Sequence, residues 1–164
     1  YQNLKNDLLY SYSSLSDTSI GTVSTMLAFT QIHTDNVYAG IKLTYDYKDV
    51  LSLSAHYIYR NWNSDNNEYL LAVKPENEAS ISLNVHPTSA LQLNAGFDYI
   101  SRKEEATSFN MSDISDLHIG ASYNVFKGVS VYAQVHNLLN KKYQYYLGYP
   151  AEGFNFLGGL SFRF

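Results

Sequence analysis

By residue type, the five histidines are best placed to do chemistry near neutral pH: His33, His56, His86, His118 and His136. No two of them have the spacing that puts a zinc-binding pair on one face of a helix. His56, His86, His118 and His136 occupy polar positions of segments that alternate in character. Whether any of them meet on a metal therefore depends on strand register, and the plainer expectation is solvated side chains on a polar face. Glu104-Glu105 and Asp113-Ile114-Ser115-Asp116 gather carboxylates in or beside polar stretches, where solvated charge is the default. The chain has no nucleophile elbow, phosphate loop or dinucleotide fingerprint. Having no cysteine, it has neither thiolate metal ligands nor a disulfide framework. No cofactor is implied, and nothing argues for an enzyme.

The elements that must carry these residues are strands. Charged residues make up 16% of the 164-residue chain, against roughly 25% in soluble domains. Tyrosine reaches sixteen copies. The basic residues are scattered and the formal net charge is -4, which leaves no electrostatic footprint for nucleic acid. Mean hydropathy is slightly negative, and no run of ~18 apolar residues exists, so a transmembrane helix is excluded. A membrane-crossing strand is not, because only every second residue of it must meet lipid. Tyr1 begins no leader pattern, so an export signal is expected upstream or already removed.

Residues 1–21 read as the remnant of an upstream strand or a linker, and 22–164 as one β segment. Thr22 to His33 is a first strand, and Thr34-Asp35-Asn36 is a turn into Val37 to Tyr47. There Val37, Ala39, Ile41, Leu43, Tyr45 and Tyr47 alternate with Tyr38, Gly40, Lys42, Thr44 and Asp46, a period of two. The same alternation recurs in Val50 to Asn61, Ala79 to His86, Leu91 to Tyr99, Leu117 to Asn124 and Val129 to Val135. Connections near 48, 88 and 127 are brief, whereas those over 62–76, 102–113 and 137–153 are long and polar. Tyr45, Tyr47, Tyr123 and Phe164 approach the short-turn end; Tyr57, Tyr59, Phe97, Tyr99 and Phe156 approach the other, with aliphatics between. Two aromatic levels of this kind suit the two interfaces of a bilayer.

The end of the chain carries the most specific pattern. Phe164, Phe162, Leu160, Gly158 and Phe156 share one face of the last strand, and Gly159 stands among the small and polar residues of the other. Gly159, Leu160, Phe162 and Phe164 resemble the assembly signal that closes bacterial outer-membrane β-barrels. Ahead of it stand Asn137, Leu138, Asn140, Lys141 and Tyr143, then Gly148-Tyr149-Pro150, then Gly153 and Phe156. Taken in order, they resemble the C-terminus of TonB-dependent outer-membrane receptors, with Phe154 where that family often has arginine. The resemblance covers most of this chain but only the last part of a receptor.

That resemblance implies an all-β fold: an antiparallel transmembrane β-barrel segment of about eight to nine strands, short turns on one side and long loops on the other. It further implies a place in the cell outer membrane and uptake of a scarce nutrient, whether metal chelate, vitamin or glycan, with energy from a periplasmic partner. The implied partners are outer-membrane lipid, the barrel assembly machinery and, in the full-length protein, the energising partner and a small nutrient ligand. Two other readings fit the alternation. One is a self-contained small outer-membrane barrel with a structural or adhesive role. The other is a soluble β-barrel or sandwich binding module whose apolar faces turn inward.

Overall fold

The computed structural model describes residues 2–17, 22–64, 74–102, 111–146 and 148–163, with the backbone alone for 2–32 and Ser64. The strands are β1 Gln2–Asp17, β2 Thr22–Tyr47, β3 Leu51–Ser64, β4 Pro75–Val85, β5 Leu91–Arg102, β6 Ile114–Phe126, β7 Val129–His136, β8 Gln144–Tyr146, β9 Tyr149–Pro150 and β10 Asn155–Phe162. Eight of them make one antiparallel sheet in the order β1-β2-β3-β4-β5-β6-β7-β10, while β8 and β9 form a separate hairpin. β1 and β10 are the two edges, so the sheet is the open wall of a barrel segment.

Register follows from the alternation. Tyr45, Leu53, Leu83, Ala95, Ile119, Val135 and Phe156 pair across seven successive strands in one row. Directly paired residues share a face, so from Val37 of β2 to β7 the odd positions, and in β10 the even ones, lie on the same side, except beyond the register shifts at Pro75/Asn77 and Asn124/Phe126. This apolar side is uncovered: Ile41 is 59% exposed, Leu43 63% and Leu160 62%. Covering one such side chain is worth about 1.5 to 3 kcal/mol. Leaving the whole face in water would therefore outweigh the ~5 to 15 kcal/mol that holds a domain folded. The face requires an apolar cover. The opposite side is polar, with rows such as Thr44, Ser54, Ser82, Gly96 and His118, whose ring stacks on that of His136, the partner of Asn155. The Ser54 and Ser82 hydroxyls hydrogen-bond across it at 2.8 Å.

The expected asymmetry of connections is present. β2–β3, β4–β5 and β6–β7 are joined at one end through 48–50, 86–90 and 127–128, and the long connections all leave the other end. Lys48 at φ 49 and Gly128 at φ 84 supply the left-handed residues that two of these tight turns require. At the long-connection end, aromatic hydroxyls find polar partners: Tyr57 donates to Asn77 Oδ1 at 2.6 Å and Tyr99 to Asp113 Oδ2 at 2.8 Å.

Two boundaries differ from the sequence expectation. Thr34-Asp35-Asn36 is not a turn but the middle of the 26-residue β2, where these residues pair with Leu4, Asn3 and Gln2 on one side and Ser64, Asn63 and Trp62 on the other. Polar residues here mark where the strand leaves its apolar stretch. Thr34 and Asn36 are buried, and Asp35 meets His33 at 3.6 Å. The connection expected over 62–76 is also shorter at both ends. β3 runs to Ser64 and β4 starts at Pro75, fastened by Trp62 Nε1 donating to the Pro75 carbonyl at 2.8 Å. Tyr69 to Val73, whose composition also allows a strand extension, lie outside the described residues.

Candidate functional site

The residues singled out between 137 and 153 fold into a compact module at the long-connection end. Asn137 is 1% exposed and has φ 46, a left-handed conformation that asparagine tolerates better than most side chains. Its amide Nδ2 donates to the Lys141 carbonyl at 2.9 Å and the Glu152 carbonyl at 3.1 Å, while its Oδ1 accepts from Lys141 N at 2.9 Å. One side chain thus ties the start of the segment to its end. Leu138 N donates to the Leu117 carbonyl. Asn140, at φ 50, accepts from Phe154 N at 3.1 Å, beside Gly153. That contact uses the Phe154 main chain, so it does not depend on the side chain that departs from the family pattern.

Tyr143 is 5% exposed, and its hydroxyl donates to Asp116 Oδ2 at 3.1 Å. Burial, then the neighbouring Tyr145 and Asp116, push its ionisation above the ordinary phenol range. The other Asp116 oxygen accepts from Asn137 N at 2.9 Å. Gly148, at φ 82, makes the turn between β8 and β9, and its N–H donates to Gln144 Oε1 at 2.7 Å. Tyr149 pairs with Tyr146 and Pro150 with Gln144. Pro150 has no N–H, and the next donor, Ala151 N, bonds the Tyr143 carbonyl at 2.9 Å. The hairpin leaves Tyr146 and Tyr149 about three-quarters exposed, at 76% and 74%. The hairpin of the module shows an aromatic surface to solvent, beside the exposed Lys141, Lys142 and Glu152.

Sequence reasoning missed the groups that attach this module to the sheet. In the sequence, Asp113 and Asp116 read as solvated charge. Asp113 instead accepts from Tyr99 and from Arg102 N, and Asp116 from Asn137 N and Tyr143. Arg102 is 8% exposed at the end of β5 and donates to the carbonyls of Ser112, Gln144 and Tyr145. Asp116 falls on the polar face by parity, which was the available signal; its partners lie more than twenty residues away. Glu104 and Glu105 lie outside the described residues.

The histidines divide by row. His118 faces His136 across β6 and β7 with ring centroids 5.8 Å apart and planes at 26°, and its Nδ1 lies 3.8 Å from Asp98 Oδ2. The His118 ring lies across Gly96, where a Cβ would collide with it. His56 sits between Lys42 and Ser80, one row away, and His86 lies at the short-turn end. Among the described residues no group of three or more histidines and carboxylates is arranged to hold a metal. In the last strand, Leu160 and Phe162 lie on the exposed apolar face. Gly159 lies on the polar face directly beneath the Tyr132 ring, and a Cβ there would come within 2.6 Å of the Tyr132 hydroxyl. Phe164 is outside the described residues.

Sheet, register and sidedness define a β-barrel wall of the kind that has one apolar and one polar surface. No protein-family model matches the sequence, and no curated protein matches it. Among solved structures, the fold is similar to the ferric-catecholate import receptor Fiu from E. coli K12, in its closed form. The match covers 99% of this chain and 24% of that chain, at a TM-score of 0.66 and 16% sequence identity. The chain thus spans about a quarter of the length of that receptor, and the likeness is one of fold.

Proposed function

We propose that this chain is the C-terminal barrel portion of an outer-membrane receptor that takes up a scarce nutrient, a metal chelate, vitamin or glycan, with energy from a periplasmic partner of the TonB type. The observation that carries the reading is the uncovered apolar face, continuous through seven strands and bounded by aromatic levels. It suits lipid, and it leaves the polar face toward a lumen. The likeness to an import receptor and the family-like module at 137–153 support the same reading. Transport, not catalysis, is the role. The barrel assembly machinery recognises the end of β10 through Gly159, Leu160, Phe162 and Phe164.

The test is cysteine labelling of intact cells bearing the full-length protein, joined to an uptake assay. Lys142→Cys should react with an impermeant reagent and Ser89→Cys should not. Uptake of the nutrient should stop when the energising partner is deleted. Labelling at 89 but not at 142 contradicts the orientation, and uptake that is indifferent to the partner contradicts the mechanism.

A further inference from the structure

The β8–β9 hairpin is attached to the sheet at two separate places. At its base, Asp116 of β6 holds Asn137 N and the Tyr143 hydroxyl. On β8, the Arg102 guanidinium donates through Nη2 to the Gln144 carbonyl at 3.1 Å and the Tyr145 carbonyl at 3.4 Å. Through Nη1 the same guanidinium donates to the Ser112 carbonyl at 3.1 Å, and the Arg102 N–H reaches Asp113 Oδ1 at 3.4 Å. Arg102 therefore joins the end of the β5–β6 connection to a hairpin more than forty residues further along. A guanidinium suits this task because its rigid fork of five N–H groups can address carbonyls of two segments at once.

A cation buried at the end of a strand is costly to remove from water, and carbonyl dipoles offset that cost only while both segments stay in place. We propose that Arg102 is a positioning residue that makes residues 111–113 and the β8–β9 hairpin one mechanical body, so that either segment moves only with the other. The aromatic surface of the hairpin is then set by the β5–β6 connection as much as by its own strands. This inference is independent of the transport reading.

Amide hydrogen exchange by NMR on the full-length protein in detergent micelles tests it, comparing wild type with Arg102→Gln and Arg102→Lys. Losing hydrogen bonds to a charged donor should speed local opening roughly tenfold to a hundredfold. In Arg102→Gln, the amides of residue 102, Gly148 and Ala151 should all accelerate to a similar degree. Leu138 N–H, bonded to the Leu117 carbonyl at the hairpin base, and the β3–β4 amides should keep their wild-type rates. Arg102→Lys, with one donor group in place of the fork, should fall between the two. Asp116→Asn should give the complementary pattern, speeding Leu138 while leaving residue 102 unchanged. Acceleration at residue 102 with Gly148 and Ala151 unmoved overturns the proposal, because the segments would then open independently. If Arg102→Gln does not fold, Arg102→Lys decides by the same comparison.

Discussion

Replacing Asn137 by alanine removes three side-chain hydrogen bonds and leaves a Cβ-bearing residue without asparagine's tolerance for the left-handed region. With each bond worth about 0.5 to 1.5 kcal/mol net and the backbone about 1 to 2, a loss of about 3 to 6 kcal/mol is expected. Denaturant titration in micelles, or the rate of proteolytic cutting between 137 and 153, measures it. Asn137→Gly should recover the backbone share only. Tyr143 provides a pH signal. Its ionisation is raised in the folded protein, so the unfolded chain loses its phenol proton first. The stabilisation is complete below the ordinary tyrosine range, about pH 10, and is lost as pH rises beyond it. Tyr143→Phe should flatten that alkaline loss; an unchanged alkaline limb in a stability-versus-pH series would assign it to other tyrosines. That Asn137 and Tyr143 belong to one motif was legible in the sequence, but the bonds they make were not. Their acceptors, Glu152 O and Asp116, lie fifteen and twenty-seven residues away, and only folding brings them near.

In the strands, a period of two assigns a face to each residue before any partner is known, and β3 to β7 and β10 pair with those faces aligned. Leu93→Arg, on the uncovered apolar side, should therefore cost about 2 to 4 kcal/mol near a bilayer midplane, whereas Gln92→Arg on the polar side should be mild. Equal effects in a refolding titration would detach the apolar face from the membrane. Element ends were harder to read. Thr34-Asp35-Asn36 has turn-forming composition, yet it lies within β2 because strands on both sides supply backbone partners. Polar residues at a strand's exit from lipid and polar residues in a turn have similar composition, and only pairing separates them. The β8–β9 hairpin was similarly hidden inside an expected loop, since five strand residues around a glycine turn produce no periodic signal.

For the whole molecule, the edges are the parts most exposed to failure: among the described residues β10 pairs with β7 alone and β1 with β2 alone. Burial of a terminal aromatic adds only about 1.5 to 3 kcal/mol, so the proposed receptor function predicts that Phe164 acts in delivery more than in stability. Removing it from the full-length protein should lower the amount inserted in the membrane and leave uptake per inserted molecule nearly unchanged. Normal insertion with collapsed uptake would instead place Phe164 on the transport path. The uninterrupted rows across the sheet also constrain how such a chain can change length over evolutionary time. One residue inserted between Ser82 and Leu83 inverts inside and outside for half of β4, while two residues inserted there shift the register but restore the parity. Membrane fractionation should find the double insertion in the membrane and the single one aggregated. The strands thus accept length changes only in even steps.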